Sequence, residues 1–128
     1  LLLVAASWLP SYFALRAQNA ALAAAADGQV TVALEHAHRA ATWDPLAVRP
    51  LLTEAMLLQQ LGRNREAHVR LQTAARLQPQ NYEVWYALGM LEHGVLGRDA
   101  AARSSFSRAL ALNPDDADSL YELRRLAQ

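Results

Sequence analysis

The strongest constraint on the fold is an internal repeat with a period of 34 residues. Glycine, alanine and proline recur together at this spacing: Gly28 and Gly62, Ala33 and Ala67, Ala40 and Ala74, Pro45 and Pro79. The same four positions recur once more at an offset of 35, as Gly97, Ala102, Ala109 and Pro114. Because all four shift by one residue together, a single insertion before Gly97 explains them. The insertion predicts a longer turn or a π-bulge around residues 93–96.

Each unit has the pattern of two antiparallel helices. In residues 48–81, Gly62 ends the first helix because glycine tolerates the left-handed cap conformation, and Pro79 stops the second. Apolar residues at helical spacing fill the seam between the helices: Leu51, Leu58, Leu71 and Ala74. Glu54 is a polar position in this seam. One pair cannot bury its apolar face alone, so the units must stack into a solenoid.

The third unit resembles the tetratricopeptide repeat family, through Trp85, Leu88, Gly89, Ala102, Phe106, Ala109 and Pro114. The second unit matches through Leu51, Ala55, Gly62, Ala67, Leu71, Ala74 and Pro79. The first is weaker, because Ala17, Ala20 and Ala37 replace large residues, which predicts a thin core or the very close packing of another helix. The resemblance implies an all-α, right-handed α–α superhelix with repeats at 14–47, 48–81 and 82–116. An apolar N-terminal helical segment (1–13) and a capping helix (117–128) would flank them.

Composition favours the same class and excludes others. Hydrophobic residues make up 53% of the chain, many of them the helix formers alanine and leucine. Twelve acidic residues balance twelve arginines, which argues against a nucleic-acid binder, and the absence of cysteine excludes disulfides and thiolate metal sites. His36, His38 and His68 form no metal-binding pattern and are expected at the surface or in a groove. Ser104 and Ser105 show no triad pattern, so we expect no catalytic residue, metal or cofactor.

The first fifteen residues carry no charge. As a helix they would span about 22 Å, less than the roughly 30 Å core of a bilayer, and Pro10 would interrupt them. We call residues 1–13 the assembly segment. Its large apolar side chains are Leu1, Leu2, Leu3, Val4, Trp8, Leu9, Tyr12 and Phe13. Their burial is worth on the order of 10 kcal/mol. We expect them to enter a bilayer, the chain's own groove or, as the favoured hypothesis, a neighbouring subunit.

The two ends of the predicted solenoid differ. At the C-terminal end we expect Leu120, Leu123 and Leu126 to face inward. The polar outer side is expected to consist of Asp118, Glu122, Arg124 and Arg125. One capped end and one apolar end predict a head-to-tail contact, which makes a ring or an open filament. Since the first residue is not methionine, the chain is expected to be processed or part of a longer one.

The resemblance implies a concave groove lined by the first helix of each pair. Its predicted partner-binding residues are Gln18, Leu22, Arg49, Leu52, Met56, Gln59, Glu83, Tyr86 and Met90. Arg49 suits a carboxylate, and Met56 and Met90 suit an apolar ligand. A peptide, a helix of another protein or a copy of residues 1–13 would occupy this groove.

The sequence therefore predicts a non-catalytic protein-interaction and assembly module that self-associates head to tail, as an oligomer or a filament. We expect it at the surface of a bacterial-type cell, outside the cytoplasm. Two alternatives stay open. The arrangement also resembles the extracytoplasmic repeat tail of membrane glycan ligases of the O-antigen type, with a membrane contact through residues 1–15. A plain peptide-binding adaptor is the other.

Overall fold

The computed structural model describes residues 8–128, and within this range the chain forms seven α-helices and no strand. They are α1 (Leu9–Ala26), α2 (Val30–Trp43), α3 (Val48–Gln60), α4 (Asn64–Leu77), α5 (Tyr82–Gly94), α6 (Asp99–Leu112) and α7 (Ala117–Leu126). The predicted all-α class is confirmed. The chain forms two compact units that divide between Arg63 and Asn64. The exact repeat boundaries stay a prediction.

The turn after α1 shows why glycine recurs in the repeat. Gly28 has a φ of 74°, a conformation that costs other residues energy. Its N–H donates to the Ala25 carbonyl at 3.0 Å, and the Gln29 N–H donates to the Ala24 carbonyl at 2.8 Å. This is a Schellman motif, and the same pair of bonds closes α3 at Gly62. Both connections are three residues long.

The turn after α5 contains the inserted residue. Four residues (95–98) separate α5 from α6, and α5 stays α-helical to Gly94. The Arg98 N–H donates to the Glu92 carbonyl at 2.7 Å, six residues earlier rather than five. Gly97, with a φ of 63°, completes the turn. The insertion therefore lengthens the turn, as one of the two expectations had it, and makes no π-bulge.

Alanine dominates the core of the first unit. Ala21 of α1, Ala33 and Ala37 of α2, and Leu57 of α3 form one fully buried cluster. Leu57 supplies the large side chain, and partly buried residues complete the seam: Ala24, Ala25, Val30 and Leu34. Three of the four members of this cluster are alanines, while its thickness stays a prediction.

The core of the second unit joins α5, α6 and α7. Ala102, Phe106 and Leu126 are buried together, with Tyr86 and Leu123 packed against them. Arg103 Nη2 donates to the Leu126 carbonyl at 2.8 Å, which ties the C-terminal end of α7 to α6.

The buried face of α7 differs from the prediction. Ser119, Glu122 and Leu126 are buried, whereas Leu120 is 36% exposed and Tyr121 62% exposed. These three buried residues follow the i, i+3, i+7 spacing of one helix face, which is rotated from the predicted one. The expectations that Leu120 faces inward and that Glu122 faces outward are therefore wrong.

Candidate functional site

The first turns of α1 carry an exposed apolar surface, which we call the head surface: Trp8, Leu9, Tyr12 and Leu15. Each of these side chains is between 52% and 75% exposed. With Ser11 they line a shallow depression of about 660 Å³. Large apolar side chains that adjoin one another in water are typical of interaction surfaces.

Pro10 begins a helix here rather than interrupting one. It lies in the first turn of α1, where its missing N–H costs no hydrogen bond. Leu9, Tyr12 and Phe13 of the predicted assembly segment are therefore continuous with the first repeat helix. Leu1, Leu2, Leu3 and Val4 lie outside the described residues.

Aromatic contacts hold this part of α1 in place. The rings of Phe13 and Trp43 stack at a centroid distance of 5.0 Å and an angle of 29°. Tyr12 meets Phe13 edge-on at 5.7 Å, and the Arg16 guanidinium lies 6.0 Å from the Tyr12 ring. Arg16 is the one charged residue of α1. The head surface therefore combines apolar side chains with a single positive charge.

The predicted groove residues of the first unit are mostly accessible. Leu22, Arg49 and Met56 are exposed, and Leu52 and Gln59 are half-buried. Gln18 differs, since it is buried and its Nε2 donates to Thr53 Oγ1 at 2.7 Å. Partner binding by these residues stays a prediction.

In the second unit, Glu83 and Met90 are exposed and Tyr86 is half-buried against the Phe106 ring, at a centroid distance of 5.9 Å. Partial burial raises the pKa of the Tyr86 hydroxyl, and the carboxylates of Asp118, Glu122 and Asp116 raise it further. The phenol therefore faces a negatively charged region at the start of α7. A partner at this position would need donors or positive charge rather than a carboxylate.

Sequence reasoning missed a buried polar network in the second unit. Glu92 of α5 accepts a hydrogen bond from Ser105 of α6 at 2.7 Å, and its other oxygen lies 3.0 Å from Nε2 of His68 of α4. All three residues are buried, so the expectation of a surface or groove histidine at position 68 is wrong. Because Glu92 lies between His68 and Ser105, the histidine does not contact the hydroxyl, and the order of the three groups differs from that of a catalytic triad.

A signal for this network was present in the sequence. The repeat pattern W-x₂-L-G-x₂-Y places a tyrosine three residues after the glycine, but Glu92 stands there in the third unit. A carboxylate at a position that belongs to the seam needs buried partners. Glu54, the polar seam position that was predicted, behaves alike: it is buried, with Oε1 2.9 Å from His38 Nδ1.

Two further features bear on function. Residues 8–128 contain no group of three histidine, cysteine, aspartate or glutamate side chains placed to hold a metal ion. In the same range no helix combines the length and apolar character needed to cross a bilayer.

A sequence model described as a tetratricopeptide repeat matches residues 52–127. A search of curated proteins gave no significant match. Among solved structures, the first TPR of Spaghetti (RPAP3) bound to the HSP90 peptide SRMEEVD is similar, with a TM-score of 0.85 and 19% identity over 92% of this chain and 93% of that one.

Two other solved structures are similar to this chain. The Arabidopsis OM64 TPR domain has a TM-score of 0.83 and 18% identity, over 92% of this chain and 97% of that one. The second TPR domain of human RPAP3, in complex with the HSP70 peptide SGPTIEEVD, has a TM-score of 0.83 and 19% identity, over 93% of this chain and 98% of that one. At these identities the likeness shows the fold, which confirms the predicted all-α helical-repeat solenoid. Because the sequence model covers more than half of the chain, this protein belongs to the tetratricopeptide repeat family.

Proposed function

We propose that this chain is a non-catalytic protein-interaction module that associates with further copies of itself, head to tail, through the head surface of α1. The observation that carries this proposal is the exposure of Trp8, Leu9, Tyr12 and Leu15 on one helix. Fully burying a side chain of this size is worth roughly 1.5–3 kcal/mol. Four of them supply a driving force comparable to that of a micromolar complex before the costs of association are subtracted.

A second surface on the chain suits the head surface. The exposed side of α7 presents Leu120 and Tyr121, and Asp118 lies one helical turn before Tyr121. We call these three residues the tail surface. Arg16 lies on the same helix as the head surface, so an apolar contact flanked by an Arg16–Asp118 pair would join unlike surfaces of two copies. Such a heterologous contact leaves one head and one tail free, and the assembly grows.

A complementation experiment tests the proposal. Tyr12→Glu places a charge on the head surface and Tyr121→Glu places one on the tail surface. We expect the wild-type chain to form oligomers, and each variant alone to be monomeric, in sedimentation velocity. In an equimolar mixture, the intact tail surface of the Tyr12→Glu variant can bind the intact head surface of the Tyr121→Glu variant. The mixture should therefore form a dimer and nothing larger, because the head and tail surfaces that remain free each carry a glutamate.

Val69→Glu provides the matched control, since Val69 is an exposed apolar residue of α4 that belongs to neither surface. This variant should assemble like the wild type. A tail variant that still assembles, beside a monomeric head variant, would show that two head surfaces pair with each other. A monomeric wild type, or assembly that survives Tyr12→Glu, would refute self-association through α1.

The peptide-binding adaptor is the second candidate, because exposed Leu22 and Met56 of the first unit are suited to an apolar ligand. It predicts a monomer that retains its ligand when the head surface is changed. Co-sedimentation with lipid vesicles distinguishes membrane contact from self-association and from peptide binding. If the head surface contacts a membrane, the wild type should co-sediment with the vesicles and Tyr12→Glu should not. The ligase-tail arrangement has no support among the comparisons.

We further propose that the protein acts outside the cytoplasm. Protease treatment of intact cells of the source organism tests this directly. Digestion of the chain while a cytoplasmic marker survives is the expected result, and full protection would contradict it.

A further inference from the structure

His93, in the last turn of α5, lies between two charged side chains of the second unit. Its Nδ1 is 2.7 Å from the carboxylate of Asp99, in the first turn of α6. Its Nε2 is 2.9 Å from Nη2 of Arg125, in the last turn of α7. The imidazole therefore connects three helices.

These two contacts determine which ring nitrogen of His93 carries the proton. A guanidinium has five N–H donors and no acceptor, so Nε2 must offer its lone pair to Arg125. The proton of the neutral ring is then on Nδ1, which donates to Asp99. Turning the ring over exchanges its nitrogen and carbon atoms, so both contacts would then be lost. The contact with Arg125 therefore requires a neutral imidazole.

Protonation of His93 is compatible with the Asp99 contact but not with the Arg125 contact. A proton on Nε2 would face an N–H of Arg125, so that two donors and two positive charges oppose each other. The Nδ1–H still donates to Asp99, and the added charge strengthens this bond. Asp99 therefore keeps the ring in place, and Arg125 is the group that has to move.

The other charged groups around His93 do not replace the lost bond. Glu122, one turn before Arg125 on α7, has a carboxylate oxygen 3.3 Å from Nη1 of Arg125 and moves with it. Glu92 of α5 and His68 of α4 are bound to each other. Because the His93 side chain is 23% exposed, a proton from solvent can reach it without unfolding.

We propose that His93 is a pH-sensitive switch that controls how firmly α7 is held against the turn after α5. The neutral ring accepts the hydrogen bond of Arg125, and the protonated ring releases it. Because histidine changes charge between about pH 5 and 8, mild acidification operates the switch. The bond from Arg103 to the Leu126 carbonyl does not titrate in this range, so α7 loosens rather than detaches. The switch does not depend on self-association, although α7 also carries the tail surface.

The tautomer of His93 is the first test. The full chain carries Tyr12→Glu, so that association through the head surface does not enter, and is labelled with ¹³C and ¹⁵N. A long-range ¹H–¹⁵N correlation spectrum at about pH 8 should show Nδ1 of His93 protonated and Nε2 unprotonated. A neutral ring with its proton on Nε2 would overturn the proposal.

A titration of the same chain from about pH 8 to about pH 5.5 is the second test, in a range where carboxylates stay ionised. Leu126 is buried in one cluster with Phe106, so its methyl signals report how α7 packs. We expect these signals to shift with the same midpoint as the His93 imidazole. Separate Nη signals of Arg125, typical of a guanidinium held in place, should merge at the acidic end.

His93→Gln places an acceptor oxygen at about the position of Nε2 but gains no proton in this range, so the Leu126 signals should stay constant. His36→Gln, which changes a histidine of the first unit, is the control and should retain the transition. A transition that survives His93→Gln would assign it to His68 and refute the switch. So would Leu126 signals that do not move, or that move with a different midpoint from His93. If His93→Gln does not fold, the tautomer and the matching midpoints still decide the question.

Discussion

A methyl group added to Gly89 would lie 2.6 Å from Cε1 of Phe106. The two residues sit on α5 and α6, so the missing side chain of one makes room for the ring of the other. Phe106 is fully buried, and its ring has nowhere to move without disturbing Ala102 and Leu126. This contact explains why the repeat needs glycine in the first helix of the third unit.

Gly89→Ala should therefore destabilise the protein by about 1–3 kcal/mol through overpacking. Gly94→Ala is the matched control, because Gly94 lies on the same helix and nothing is within 4 Å of the added methyl. The control should be neutral or stabilising by up to about 1 kcal/mol. Urea unfolding measures both, and equal effects would contradict the role of the Gly89–Phe106 contact.

Glu92→Leu should cost about 3 kcal/mol of unfolding free energy, because it leaves His68 and Ser105 buried without their shared partner. Adding His68→Leu should recover part of the loss, since the pair is then replaced by apolar groups. The comparison is Glu83→Leu on the exposed side of α5, where we expect a change below about 0.5 kcal/mol. The double-variant cycle by chemical denaturation checks this, and strict additivity would argue against the network.

The pKa of Tyr86 gives a prediction at alkaline pH. Burial and three carboxylates raise this pKa in the folded state, so the unfolded chain releases the phenolic proton first, near pH 10. The contribution to stability is fully present below about pH 10 and is lost as pH rises through the folded pKa. Tyr86→Phe should remove this part of the decline, and Tyr121→Phe should keep it. Unfolding measured at several pH values between about 9 and 12 distinguishes them.

Phe13→Ala should destabilise the first unit by about 1–3 kcal/mol, because it removes the stack on Trp43 as well as partly buried apolar area. Leu15→Ala, which changes a more exposed side chain two residues away, should cost less than about 0.5 kcal/mol. Thermal unfolding in the Tyr121→Glu background keeps association out of the comparison. If both variants lose the same stability, the Phe13–Trp43 contact does not anchor α1.

The repeat period predicted most of the fold, because glycine and proline determine where helices end through local backbone effects. Gly28 and Gly62 end helices through their own backbone conformation, so their spacing alone places the turns. The insertion before Gly97 was visible for the same reason. The structure of the insertion could not be predicted, because one added residue is compatible with either a π-bulge or a longer turn. The hydrogen bond from the Arg98 N–H to the Glu92 carbonyl shows that the turn is longer.

The side-chain details of the candidate surfaces were less predictable because they depend on packing between elements. Hydrophobicity predicted that Leu120 lies on the buried face of α7, but the helix is rotated so that Glu122 and Ser119 lie there instead. His68 and Ser105 carry no local signal of burial, and only the departure at Glu92 from the repeat pattern pointed towards them.

The alanine cluster between α1 and α2 also has an evolutionary consequence. The buried residues that α1 and α2 contribute to this cluster are alanines, and its large side chain comes from Leu57 of α3, so a buried volume lost on one of the two helices has no larger partner on the other to exchange with. We therefore expect α1 and α2 to tolerate substitutions mainly at their exposed positions. New partners can be acquired there without refitting the interior.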